Sequence, residues 1–305
     1  MDLDLSDDQV ALRDGIASML EGRFDSDRIR AGFDREMFAE LAEAGVFSLR
    51  TDGFSWADCV VVFEQLGRFC VPGPLVSSLL LGEGRITGVV EDAEPAWIEY
   101  LDTLDDVVAF SGPDARRIEA SAIVGEPSTW PLVPLTPIAK VAALPAGNSL
   151  NADAAERRRE GATLTAAFQL GLADRCTELA VAYAKERVQF DRPIAAFQAI
   201  KHLCADMLVR TEVARAAVYA AGAHLDDVDL ASYADLDRGI SGAKVMAGEA
   251  AIANGKAATQ VFGGMGFTWE VDVHLFLKRA WVLDTHFGTG ELHADVVGGA
   301  LGAET

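Results

Sequence analysis

The chain has 305 residues, half of them apolar, which is enough for a sizeable core and more than one structural unit. Its formal charge of −21 argues against nucleic acid and anionic membranes as partners, because both select for Lys and Arg; solubility accounts for the charge. No basic-then-apolar leader opens the sequence and no apolar run approaches the ~20 residues of a membrane span, so a cytoplasmic protein is expected.

Residues 1–83 predict a helical domain. Ser6-Asp-Asp-Gln9 has the form of a capping box, and Val10, Leu12, Ile16 and Leu20 follow at helical spacing. Further helices are expected over Asp34 to Ala44, Trp56 to Arg68 and Pro74 to Leu81, divided by Gly45, Gly53 and Pro72-Gly-Pro74. Composition then changes. Residues 84–150 hold seven of the ten prolines and the short β-type runs Ile86 to Val90, Asp106 to Phe110 and Ala139 to Ala143, so a small β domain is expected. Residues 151–305 return to helical periodicity. Leu164, Phe168, Leu172, Cys176, Leu179 and Tyr183 form one stripe. A second helix after Pro193 carries Ile200, Cys204, Met207 and Ala214, a third Ile240, Ala243, Met246 and Ala250, and a fourth runs from Val273 past Leu283. These four predict an antiparallel bundle whose alanine faces permit close approach. The fold class is mainly α with a small β middle segment.

Four cysteines lack any short paired spacing, and the apolar runs around Cys70, Cys176 and Cys204 predict buried thiols rather than disulfides or metal ligands. His274, His286 and His293, with Asp284 and Glu291 nearby, are spaced by twelve and seven residues, which suits no ligand pair on one helical face. No metal is expected.

Two segments carry chemistry: Glu186-Arg-Val-Gln-Phe-Asp-Arg-Pro-Ile-Ala-Ala-Phe-Gln198 and Gln260-Val-Phe-Gly-Gly-Met-Gly-Phe-Thr-Trp-Glu270. Together they offer a guanidinium, side-chain amides and a bare glycine backbone. A guanidinium fork pairs with phosphate oxygens as an ammonium cannot, and glycine N–H groups approach a phosphate without a Cβ in the way. The set suits a pyrophosphate and the edge of a purine. The plainer alternative pairs Arg187 with an acidic neighbour and makes Gly263-Gly264 a helix stop. A dinucleotide-fold reading of Gly263-Gly-Met-Gly266 fails because no strand precedes it.

In motif and order both segments resemble the carboxy-terminal domain of the acyl-CoA dehydrogenase family of flavoenzymes. Asp4-Leu-Ser-Asp-Asp-Gln9, Leu12-Arg-Asp14 and Val62-Phe-Glu-Gln-Leu-Gly67 with Val71-Pro-Gly-Pro-Leu75 resemble its amino-terminal domain. The resemblance implies an N-terminal helical domain, a reduced β domain and a C-terminal four-helix bundle. It also implies that Arg187, Phe190, Gln198, Gln260, Gly263 and Gly264 reach across a subunit interface to the pyrophosphate and adenine end of an FAD. In the family a carboxylate removes the α proton of an acyl-CoA thioester while the β hydride passes to the flavin. That carboxylate commonly precedes a Gly-Thr pair; here the pair is Gly288-Thr289 and the residue before it is Phe287. A phenyl ring accepts no proton.

Other members carry the base near the start of the first bundle helix. Counting back from Arg187 without gaps gives Gly161, with Glu160 one residue and about a hundred degrees of helix rotation away. The tract Arg157-Arg-Arg-Glu160 predicts a solvated charge cluster there. His286, beside Phe287, is a second titratable group at the base position. The family's strand motifs around the flavin ring are missing: Trp97-Ile98 is followed by Glu99-Tyr100. The resemblance therefore points to the smaller, flavin-site-incomplete subunit of the α2β2 acyl-CoA dehydrogenases of steroid degradation. Its implied partners are a homologous chain carrying the catalytic glutamate, a bulky acyl-CoA and an electron-transfer acceptor. Two alternatives stay open: a self-sufficient homo-oligomer using Glu160, and a non-redox structural or acyl-CoA-binding relative.

Overall fold

The computed structural model describes residues 4–128, 136–227 and 233–302. The opening residues 1–3, the stretch 129–135 of the proline-rich segment, residues 228–232 and the end of the chain lie outside the described residues. In chain order come α1 (Asp7–Arg23), α2 (Ser26–Ala31), α3 (Arg35–Glu43), α4 (Trp56–Arg68) and α5 (Leu75–Leu81). The strands follow: β1 (Thr87–Glu91), β2 (Ala96–Glu99), β3 (Asp106–Ser111), β4 (Asp114–Glu119), β5 (Glu126–Pro127), β6 (Ile138–Val141) and β7 (Asn148–Ser149). Then come α6 (Ala154–Glu186), the two-residue strands β8 (Val188–Gln189) and β9 (Arg192–Pro193), α7 (Gln198–Asp226), α8 (Tyr233–Phe262), α9 (Val273–Leu283) and α10 (Gly290–Gly302). The chain forms two compact units. Among the described residues one takes the span up to Phe24, Ser55–Val71 and everything from Ala162; the other takes Asp25–Phe54 and Pro72–Gly161.

In the first unit, α1 starts at the Ser6 capping box: Gln9 N–H donates to Ser6 Oγ at 3.2 Å and Ser6 N–H to Gln9 Oε1 at 3.1 Å. The same Gln9 amide reaches Asp58 Oδ1 at 3.0 Å, joining α1 to α4. The start of α4 is capped twice, by Ser55 and by Asp226, whose two oxygens accept from Trp56 and Ala57 N–H at 2.7 and 2.9 Å. An added Cβ at Gly67 of α4 would overlap the Phe168 carbonyl of α6, and one at Gly171 would overlap the Glu64 carbonyl. These two glycines let the helix backbones touch. Asn254, fully buried on α8, donates to the carbonyls of Ala173 and Met207 and the hydroxyls of Thr177 and Thr211, and accepts from Arg210. One amide thus cross-links α6, α7 and α8.

Every residue of α6 from Glu160 to Ala173 is buried, so this helix is enclosed on all sides where one apolar stripe was expected. Two other expectations change. Met246 of α8 is 43% exposed and Cys204 of α7 is only half-buried, while Cys70 and Cys176 are sealed. The fourth bundle helix is broken: α9 stops at Leu283, and α10 begins only after a turn in which Phe287 (φ 53°) and Gly288 (φ 103°) are both left-handed. Two successive left-handed residues cannot continue a right-handed helix.

The second unit holds the sheets. One has the strand order β1-β3-β4-β7, with β1 and β3 parallel and the other pairs antiparallel; the second is antiparallel β2-β6-β5. Their core is Ile86, Ile98, Tyr100, Val107, Ala109, Ile118 and Val141. Asp106, fully buried at the start of β3, is compensated by Thr87 Oγ1 at 2.7 Å, Arg117 at 2.6 Å and Arg85 at 3.1 Å. No helix among the described residues is long and apolar enough to cross a membrane.

Candidate functional site

The Arg187 segment is a hairpin between two bundle helices. Val188 pairs with Pro193 and Gln189 with Arg192, leaving Phe190 (φ 53°) and Asp191 (φ 61°) as a two-residue turn in the left-handed region. That turn pushes Phe190 outward to 86% exposure, where it meets the edge of Phe197 at 6.1 Å. Arg192 lies over the Phe197 ring at 4.3 Å. Arg187 and Gln198 are exposed, and among the described residues no carboxylate forms a salt bridge with Arg187. An exposed, unpaired guanidinium beside an exposed phenyl ring has the chemistry to hold an anionic nucleotide.

The Gly263 segment ends α8. A 3₁₀ turn spans Gly263–Phe267, with Gly263 left-handed at φ +64°. An added Cβ at Gly263 or Gly264 would meet nothing within 4 Å, so both backbones face open space. Gly266 differs: its Cβ would lie 2.6 Å from the Thr259 carbonyl, so it serves packing. Gln260, one turn earlier, is exposed.

Tyr183 joins the two segments. Its carbonyl accepts from Arg187 N–H at 2.9 Å, its ring stacks on Phe262 at 4.2 Å, and its hydroxyl contacts Met265 Sδ at 3.8 Å. The ends of α6 and α8 are therefore pinned together, which brings the hairpin and the glycine turn to one end of the unit. In the sequence Tyr183 reads only as one more stripe residue; its place directly before the hairpin was the available signal.

Phe287 is buried at 7% exposure in the turn between α9 and α10, followed by Gly288-Thr289. His293 of α10 fixes this turn. Its Nε2 is 3.0 Å from the Phe287 carbonyl and its Nδ1 3.0 Å from Ser241 Oγ. The carbonyl can only accept, so Nε2 carries the proton and Nδ1 accepts from the hydroxyl. Burial holds the His293 pKa below its ordinary value. Lys244, fully buried, donates to the carbonyls of Leu283 and Asp284 at 3.1 and 3.3 Å, and burial lowers its pKa to about 8. Sequence reasoning weighed His293 only as a metal ligand. Among the described residues no three His, Cys, Asp or Glu side chains converge on one point.

Glu160 belongs to the second unit and is not solvated as the arginine tract suggested. It is 4% exposed and accepts from Arg157 at 2.6 Å. Burial outweighs that pairing and raises its pKa from the ordinary carboxylate value to about 7. Its neighbours diverge: Arg158 forks onto Glu91 at 2.8 and 2.9 Å and lies over Phe110. Trp97 of β2 is 54% exposed, with Lys140 over its ring at 5.9 Å.

Residues 153–302 match the family described as acyl-CoA dehydrogenase, C-terminal domain. The acyl-CoA dehydrogenase IpdE2 of Mycolicibacterium smegmatis is 32% identical over 304 residues, covering 90% of this chain and 93% of that protein. Among solved structures, the ChsE4-ChsE5 complex from Mycobacterium tuberculosis aligns with a TM-score of 0.80 at 20% identity, covering all of both chains. A variant of the Tcur3481-Tcur3483 steroid ACAD aligns at 0.81 and 18% identity, over 98% of this chain and 99% of that one. The helix, sheet and helix order, the paired hairpin and glycine turn, and a curated relative of matching length make this chain a member of the acyl-CoA dehydrogenase family.

Proposed function

We propose that this chain is the base-lacking subunit of a hetero-oligomeric, FAD-dependent acyl-CoA dehydrogenase that introduces an α,β double bond into a bulky, steroid-derived acyl-CoA. The observation that carries the reading is Phe287: the residue before Gly288-Thr289 is a buried phenyl ring, its carbonyl held by His293, with no proton acceptor on its side chain. The ChsE4-ChsE5 complex and the steroid ACAD among similar structures support a two-chain enzyme acting on a steroid thioester. The bounds 1–83, 84–150 and 151–305 are the domain division that goes with it.

Arg187 would pair with the pyrophosphate, Gly263 and Gly264 would offer backbone N–H groups to it, and Gln198 and Gln260 would meet the adenosine end. Phe190 would supply a flat apolar wall. The exposure of all six fits donors to a nucleotide held mainly by another chain. FAD, when bound, supplies the hydride acceptor. The partner chain would supply the glutamate that removes the α proton, and an electron-transfer acceptor would reoxidise the complex. Co-purification from the native source, with mass and flavin content of the complex, tests this; a lone chain carrying stoichiometric flavin would contradict it.

One observation favours a second reading. Glu160 is buried with a pKa raised to about 7, the range suited to a general base at neutral pH. A homo-oligomer using Glu160 would lose turnover in Glu160→Gln, whereas the heteromer would not.

A further inference from the structure

In the first unit α8 packs against both α7 and α10, and residues of all three helices line a groove over its outer side. Apolar side chains surround that groove. Val209 and Val213 of α7 are more than half exposed, and Met246 of α8 is nearly so. Val213 stands one turn from Arg210 and Met246 follows Val245, and both Arg210 and Val245 line the groove, so the patch is continuous with it. Ile252 and Ala253 of α8 and the exposed Ala294 of α10 extend it. Contiguous exposed apolar surface of this kind marks contact with another macromolecule.

The charges on α8 identify which one. Glu249 and Lys256 both line the groove, both are exposed, and they lie seven residues apart, two turns along one side of the helix. That separation is about 10.5 Å along the axis, too far for them to meet each other. Among the described residues neither forms a salt bridge. The midpoint between them falls between Ile252 and Ala253. An antiparallel copy of α8 centred there sets Glu249 against the other copy's Lys256 and Lys256 against the other copy's Glu249, with the apolar pair in the middle. A two-fold contact requires such a surface, complementary to itself; a different polypeptide imposes no such symmetry. The chain carries −21 overall, so two copies repel at a distance and need a locally balanced face to join.

We propose that the α7/α8/α10 face joins two copies of this chain about a two-fold axis at Ile252-Ala253, latched by two Glu249–Lys256 pairs. Packed helices cross at an angle, so the α8 contact is confined to the turns around Ile252, while Val209, Val213 and Met246 close its flank. None of the six residues proposed for FAD takes part. A colourless dimer therefore agrees with the heteromeric reading, and failure of the dimer leaves that reading standing.

Sedimentation equilibrium of the full chain alone, from about 1 to 100 μM, tests the contact. A monomer–dimer equilibrium is expected. Glu249→Lys and Lys256→Glu should each weaken dimerisation at least about tenfold, because each turns two attractions into two repulsions. Circular dichroism should show both variants as folded as the parent, since both side chains are exposed. Mixed in equal amounts, the two variants should form dimers again, now between unlike chains, because one brings two lysines and the other two glutamates. A parent chain monomeric throughout, single reversals that leave the equilibrium unchanged, or a mixture that stays monomeric would overturn the proposal. A monomeric parent whose Glu249→Lys variant loses a different chain from its native source would give the face to that chain and overturn the proposal equally.

Discussion

His293 Nε2 donates to the carbonyl of Phe287 at 3.0 Å, so the buried residue before Gly288-Thr289 is held by an imidazole through its backbone. A Cβ on Gly288 would lie 2.7 Å from that same Nε2, so the glycine is required for the ring to sit there. The turn between α9 and α10 is a built feature, fixed from its backbone by His293 and Gly288.

This pairing predicts a pH dependence. Burial lowers the His293 pKa in the folded chain below its unfolded value of 6.5, so the unfolded chain binds more protons below that pH. Its contribution to stability is complete above about pH 6.5 and is lost as pH falls from there through the folded pKa. Urea titrations at several pH values should show stability falling on acidification through this window. The slope should flatten in His293→Gln, which should also lose about 1–2 kcal/mol at pH 7.5.

Glu160 has the opposite sign. Its pKa rises from 4.5 in the unfolded chain to about 7 in the folded one. The folded state therefore holds the proton more tightly; this contribution is full below pH 4.5 and lost as pH rises through 7. Glu160→Gln should be more stable than the parent chain at pH 8, by on the order of 2 kcal/mol, with the difference shrinking toward pH 4.5. In a two-chain enzyme the same substitution should leave turnover within about twofold, a change too small for loss of a general base.

The contact of α4 with α6 depends on two glycines with no room for a methyl group. Gly67→Ala and Gly171→Ala would each press a Cβ into a backbone carbonyl, which no rotamer change relieves. Each should cost about 3 kcal/mol in denaturant unfolding. The exposed Gly264 tolerates an added Cβ sterically, so Gly264→Ala should leave the melting temperature unchanged and act, if at all, on cofactor retention.

Arg187→Ala should separate cofactor binding from folding. The side chain is exposed and among the described residues makes no salt bridge, so the melting temperature of the chain should stay the same. Retention of FAD by the assembled complex should weaken by about 1.5–3 kcal/mol, roughly ten- to a hundredfold, and Arg187→Lys should recover only part of it because an ammonium lacks the planar fork. Equilibrium dialysis of the complex reads this directly.

The elements with strong local signals were legible in the sequence. Helix α4 runs from Trp56 to Arg68 as expected, because its Ser55 cap and apolar spacing agree. The α1 capping box formed as read, and strands follow α5 where β-type runs were expected. Enclosure was not legible. The stripe Leu164 to Tyr183 is real, but its opposite face is alanine, glycine and threonine, small enough to be buried too, and periodicity cannot distinguish one buried face from two.

Glu160 was misread because the arginines ahead of it looked like a solvated tract, whereas Arg157 pairs with it and Arg158 turns to Glu91. The break before α10 was marked only by Gly288. A phenylalanine in the left-handed region gives no warning, since its conformation is imposed by tertiary contacts such as the His293 bond. Leu208, Val209 and Val213 on α7, outside the expected stripe, are apolar yet half-exposed or more.

The most direct measurement is the flavin content of the chain purified alone and of the assembly it forms in its native source. Our account predicts a nearly colourless lone chain with no turnover, and a complex with a second, glutamate-bearing chain that holds FAD and loses it when Arg187 becomes alanine. A lone chain that assembles with itself, binds one flavin per subunit and oxidises an acyl-CoA would contradict the account.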